Sequence, residues 1–204
     1  MNPEIVPLHL CFKGSRDYLH GTDIYEALAG LTSTNMGGAV DRLQMSIHRF
    51  FSFEPDIYWL EGARASARPE KAVVDFSVSG NGKSAVGWLV ETDRQVVCRV
   101  PYDEERIARH CAFQHNAISA SGDAGCLPIE VAVSMTKHLH SNKLRVPHGR
   151  WVFTKLDLRR LFHSADAAAI TITLKENLYN RLTKSEIKVH GEAIGHIFFS
   201  LARA

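Results

Sequence analysis

"GCLPIEVAVSMTKHL", residues 125–139, is apolar along most of its length and carries one acid, Glu130, in what reads as the first turn of a helix. Upstream, "CAFQHNAI" at residues 111–118 places His115 near the end of a short apolar run. That order aims a base and an acid at one neighbourhood. It recurs about a hundred residues earlier. "YLHGTDIYEALAGL" at residues 18–31 has Ile24, Ala27, Leu28 and Leu31 at i, i+3, i+4 and i+7, which predicts a helix. Thr22 or Asp23 could cap it, with Gly30 near its end. In both stretches a glycine precedes a glutamate by five residues: Gly21 and Glu26, Gly125 and Glu130.

Strand signals follow each helix. In the first half, residues 47–62 are aromatic-rich and read as divided at Pro55. Residues 71–102 read as a meander, with a hairpin turn at Gly80–Gly82 and a second turn near Thr92–Arg94. In the second half, strands are expected at residues 150–158, 168–176, 184–190 and 193–202, the last pair joined by a turn at residues 190–192. Both halves thus read as strand, helix, then three or four antiparallel strands. The expected class is α+β, with a first repeat over residues 1–105 and a second over 106–204; residues 103–110 could form a short helix at the join. One helix beside a small meander leaves a sheet edge open, so the two halves are expected to pair edge to edge.

Composition narrows the function. At 204 residues and 45% hydrophobic, the chain can bury one large core or two small ones. A net charge of +2 is too small to argue for nucleic acid. No apolar run approaches the roughly 20 residues of a membrane span, and the N-terminus lacks a secretory pattern. Cys11, Cys98, Cys111 and Cys126 are scattered and form no C-x-x-C pair. They read as four reduced thiols of a cytoplasmic protein. The histidines of "KHLH" at residues 137–140 are two apart, the wrong spacing for a shared metal on a helix, so no metal and no cofactor are expected.

The arrangement resembles the hot-dog fold, in which an antiparallel sheet wraps a central helix and two copies pair. "GCLPIEVAVSM" is similar to the start of the central helix in the β-hydroxydecanoyl-acyl carrier protein dehydratases, which have Gly-Cys-Leu-Gly-Leu-Asp there with the aspartate as catalytic acid. Gly125, Cys126 and Leu127 match, Ile129 replaces leucine, and Glu130 falls on the acid. That family's histidine lies fourteen residues before the acid; His115 precedes Glu130 by fifteen. The family's Pro-Gly before the helix is absent. In the first half Gly21 and Glu26 hold the glycine and acid positions, and Phe12 stands about where the histidine would be.

In that family the histidine of one hot dog works with the acid of its partner. The resemblance therefore implies a double hot-dog with one complete pair, His115 with Glu26, while Glu130 faces Phe12 as a relic or support. His115 would remove the proton beside the thioester carbonyl and Glu26 would protonate the departing hydroxyl. Backbone N–H groups at a helix start, Gly125 foremost, would hold the thioester oxygen. Gly125, Gly21, Cys126 and His20 make up the expected substrate-binding set. The implied substrate is an acyl thioester on acyl carrier protein or coenzyme A. A basic stretch (Lys137, Lys143, Arg145, Arg150, Lys155, Arg159 and Arg160) could receive such a carrier. Association into a homodimer remains open.

Plainer readings exist for the same residues. Glu130, Ser134 and Lys137 also describe a wet helix face, as do Thr22, Asp23 and Glu26. His20 is either a rival base or a capping residue. A hot-dog acyl thioesterase, or a non-catalytic hot dog binding an acyl chain or a protein partner, would carry many of the same features.

Overall fold

The computed structural model describes residues 3–62, 67–144, 146 and 148–202. The chain divides into two compact units: Met1–Tyr102 with Arg159–Leu161, and Asp103–Leu158 with Phe162–Ala204.

Unit one contains β1 (Glu4–Pro7), β2 (Phe12–Lys13), α1 (Gly21–Met36), β3 (Arg42–Ile47), β4 (Phe53–Glu61), β5 (Ala72–Gly80), β6 (Lys83–Gln95) and β7 (Arg99–Val100). Five of its strands pair antiparallel in the order β1, β4, β6, β5, β3. α1 differs from expectation at both ends. His20 is its N-cap, in extended conformation, and Gly37 ends it at φ 67, so Gly30 lies within the helix. A left-handed C-terminal residue suits glycine because no Cβ crowds the turn. Pro55 does not divide the aromatic stretch. It lies inside β4 at a register irregularity beside Phe53, where a missing N–H is tolerated, and the break falls at residues 48–52. The Asn81–Gly82 turn forms as a two-residue hairpin with both φ positive, 51 and 71. No turn forms at Thr92–Arg94, because β6 continues through them to pair with the start of β4.

Unit two contains α2 (Glu104–Ala108), β8 (Cys111–Gln114), β9 (Ala117–Ala120), α3 (Pro128–Lys143), β10 (Arg150–Leu158), a 3-10 turn (Ser164–Ala169), β11 (Ile170–Leu178), β12 (Leu182–Val189) and β13 (Glu192–Ala202). Its antiparallel order is β10, β13, β12, β11, β9, β8. Here β11, β12 and β13 follow one another as neighbours. In unit one β6 sits between β4 and β5, so the chain must pass across β6 to begin β5. The units share a long helix and an antiparallel sheet but not the same weave.

α3 packs on β9, β10 and β11. Every residue from Pro128 to Thr136 is buried, so Glu130 and Ser134 are not on a wet face. The cause is composition: in "PIEVAVSMT" small and apolar side chains occur all round the helix. α1 is narrower in its apolar stripe, with Ile24, Leu28, Thr32 and Met36 stacked at four-residue intervals. Among the described residues, no helix is long and apolar enough to cross a membrane.

The cysteine expectation is corrected. Cys11 and Cys98 form a disulfide, with Cα atoms 4.8 Å apart. β2 and β7 pair in parallel and each cysteine stands immediately before its strand, which brings two residues 87 apart in sequence into bonding range. Among the described residues, Cys111 and Cys126 are free thiols.

Candidate functional site

The start of α1 gathers polar side chains that the rest of unit one keeps apart. The clip made by β2, β7 and the Cys11–Cys98 bond sets Lys13 on one side and Tyr102 on the other. Lys13 is only 6% exposed. A buried ammonium needs a partner, and Lys13 Nζ reaches Asp23 Oδ1 at 2.5 Å and donates to Thr22 Oγ1 at 3.2 Å. Asp23 lies in the first turn of α1, where the helix dipole favours an acid. His20 is buried, its Nδ1 2.7 Å from Thr22 Oγ1 and its ring 5.3 Å from that of Tyr102. The Tyr102 ring also lies under Lys13 and Arg16, at 5.3 and 5.0 Å. Thr22 is fully buried, and Glu26 stands one turn further along the same face, half-buried.

Gly21 is the first residue of this helix. His20, Gly21 and Glu26 are thus brought to one helix start. Lys13, Thr22, Asp23 and Tyr102 join them there without having been singled out as site residues. The available signal was the lysine in "CFKG", a charge inside an otherwise apolar run. Tyr102 carried no local signal, because its place depends on a strand pair 87 residues apart.

The start of α3 is built differently. Its N-cap is Leu127, and Glu130 Oε2 accepts the Leu127 N–H at 3.1 Å. This bond, from the third helical residue back to the N-cap N–H, is a structural use for the acid. Gly125 has φ +62, and its N–H donates to Asp123 Oδ1 at 2.7 Å. A Cβ on Gly125 would come within 2.6 Å of Arg106 Nη2, so the glycine admits a guanidinium from α2. Asp103 caps α2, accepting from Arg106 N–H at 3.1 Å. Cys126 is partly buried, and burial pushes its thiol pKa up, with Glu130 adding to the rise. The thiol is held neutral, a poor nucleophile.

His115 sits after β8 in the two-residue turn to β9, exposed and at φ 47. The run "CAFQHNAI" is therefore a hairpin rather than one strand leading to the helix. His115 belongs to unit two and Glu26 to unit one. The basic stretch is not one surface in kind. Lys137 pairs with Glu104 at 2.8 Å, Lys155 lies over the Phe198 ring, Arg159 and Arg160 group with unit one, and Arg145 lies outside the described residues.

No protein-family model and no curated protein sequence matches the chain. Solved structures do resemble it. One is a provisionally identified thioesterase II of Thermobifida fusca YX, with TM-score 0.49, 12% identity, and 100% of this chain and 93% of that one covered. An acyl-ACP thioesterase of Bacteroides thetaiotaomicron gives TM-score 0.45 at 9% identity, over 98% and 97% of the two chains. The dehydratase domain of PpsC from Mycobacterium tuberculosis, solved in complex with C12:1-CoA, gives 0.44 at 8% identity, over 91% and 85%. The chain is similar to both thioesterases and dehydratase domains.

Proposed function

We propose that the chain is a double hot-dog enzyme acting on acyl thioesters, its repeats spanning residues 1–105 and 106–204, and that its reaction is the reversible dehydration of a β-hydroxyacyl thioester. The observation that carries this reading is the buried His20–Thr22–Lys13 arrangement at the start of α1, with Glu26 one turn along. Thr22 Oγ1 can accept two hydrogen bonds, one from Lys13 and one from His20 Nδ1–H. That tautomer leaves the lone pair on Nε2, which makes His20 a base. His20 Nε2 takes the proton on the carbon next to the thioester carbonyl. Glu26, protonated, gives its proton to the β-hydroxyl, the C–O bond breaks, and water leaves as the double bond forms.

His20 thus replaces His115 as the favoured base. The buried histidine already has an orienting partner, whereas His115 is in an exposed turn. The carrier of the acyl group, acyl carrier protein or coenzyme A, supplies no chemistry to the step.

The test follows hydration of crotonyl-CoA and of longer enoyl thioesters, with release of free thiol measured in parallel. His20→Ala and Glu26→Gln should each lower dehydration and hydration by about 100-fold or more. Loss on His115→Ala with none on His20→Ala would move the base to the second unit. Thiol release without hydration would make the protein a thioesterase in which Glu26 directs water. No turnover of any chain length would leave a non-catalytic acyl-binding protein.

A further inference from the structure

The Cys11–Cys98 bond lies a few residues from the polar start of α1 along both of its arms. Lys13 follows Cys11 by two residues, and Tyr102 follows Cys98 by four. The Tyr102 ring covers the cluster: it lies 5.3 Å from the His20 ring, 5.3 Å from Lys13 Nζ and 5.0 Å from the Arg16 guanidinium. β2 and β7 form a two-stranded sheet of their own, outside the sheet that contains β1, β4, β6, β5 and β3. Each is two residues long. Phe12 N–H donates to the Cys98 carbonyl at 3.0 Å, and Gly14 N–H to the Val100 carbonyl at 2.9 Å. Arg99, exposed, donates from Nη1 to the Gly14 and Arg16 carbonyls, both at 2.7 Å. Such bonds gain little net of water, and a two-stranded pair is at best marginally stable. β2 has a second hold in the buried Lys13–Asp23 ion pair, whereas β7 depends on the covalent link. Cys11 and Cys98 are partly exposed, and Val97 beside Cys98 is 89% exposed, so a soluble reductant can reach the sulfurs.

We propose that the Cys11–Cys98 disulfide is a redox control on the site at α1: formed, it holds β7 and Tyr102 over His20 and Lys13, and reduced by a dithiol, it lets β7 part from β2 and uncovers them. A thiolate of the dithiol attacks one sulfur, the S–S bond breaks, and the other sulfur leaves as a thiolate. The second thiol of the reductant then displaces the first sulfur. Cys11 and Cys98 together gain two electrons and two protons, and the dithiol becomes a disulfide. With Tyr102 withdrawn, water reaches His20 and Thr22, and the orientation of the base relaxes. The sheet of unit one keeps its pairing, because β2 and β7 are not part of it. Tyr102 acts through His20 and is a positioning residue. The effect on turnover rests on His20 being the base; the opening of the clip does not.

The full chain would be compared after oxidised glutathione and after dithiothreitol, with alkylation to count thiols and NMR to follow the His20 and Tyr102 rings. Reduction should speed exchange of the Phe12 and Gly14 amides at least about tenfold and shift both rings. It should also lower kcat for hydration about tenfold or more, with KM little changed. The double variant Cys11→Ser, Cys98→Ser should match the reduced parent and ignore dithiothreitol, and Tyr102→Ala should already turn over at the reduced rate. Faster exchange and shifted rings in a chain without turnover would uphold the clip and reject the reaction proposed above. Equal exchange and unchanged rings in the two redox forms would overturn the clip whatever the turnover, leaving the bond a structural staple. Alkylation of Cys11 and Cys98 despite oxidised glutathione, or a response to dithiothreitol that persists in the double variant, would overturn it equally.

Discussion

Glu26 and Glu130 stand five residues after a glycine in their respective halves, yet the two helices count from different starts. α1 begins at its glycine, with His20 as N-cap, so Glu26 is the sixth helical residue. α3 begins three residues after its glycine, with Leu127 as N-cap, so Glu130 is the third. A carboxylate at the third position can fold back onto the cap N–H, and Glu130 does. A carboxylate at the sixth cannot, because the N–H groups near it are already bonded within the helix. In α1 the third position belongs to Asp23, which answers Lys13 instead. Equal spacing in sequence thus yields a cap in one unit and a half-buried acid one turn beyond Thr22 in the other.

The comparison can be broken most forcefully at Lys13. Lys13→Met leaves Asp23 without its buried cation and should cost about 3–5 kcal/mol in urea unfolding, with no counterpart in unit two. A loss below about 1 kcal/mol, the size of a surface pair, would mean the cluster at α1 is not held by that charge. His140 gives unit two its own signature. Its folded pKa is about 4 against an ordinary 6.5, so between those values the unfolded chain binds the proton and the folded chain does not. Stability should therefore fall by about 3 kcal/mol as pH drops from 6.5 towards 4, with no contribution above 6.5. His140→Leu should flatten that part of a stability–pH curve, and an unchanged slope would reject the assignment.

Activity sharpens the contrast further. Glu26→Gln should slow turnover about 100-fold, roughly 2.7 kcal/mol in barrier, with little change in melting temperature. Glu130→Ala should do the reverse, lowering stability by about 1 kcal/mol while turnover per folded molecule stays within about threefold. If Glu130→Ala matched Glu26→Gln in rate loss, both helix starts would be catalytic and the division of labour drawn here would fail.

Much of the fold was legible because periodicity is a local property. The helix cores of α1 and α3, the strands β10 to β13, and the turns at Asn81–Gly82 and His190–Gly191 all declare themselves within a dozen residues. The misreadings share a cause. Pro55 within β4, the continuation of β6 through Thr92–Arg94, and the hairpin hidden in "CAFQHNAI" each depend on what the strand pairs with. The polar start of α1 was half visible: His20, Gly21, Thr22, Asp23 and Glu26 lie in one quoted stretch.

By itself the sequence determined that this protein has two long helices, each followed by antiparallel strands, and that each helix carries an acid near its start. Those features follow from side-chain spacing over one or two turns of backbone. The tertiary structure alone decided that Lys13 and Tyr102 meet at His20, that Cys11 bonds to Cys98, and that β6 intervenes between β4 and β5. Each of these is a contact between residues far apart in the chain. Burial and hydrogen bonding across such distances are fixed only when the whole sheet has chosen its strand order, and no local pattern encodes that choice.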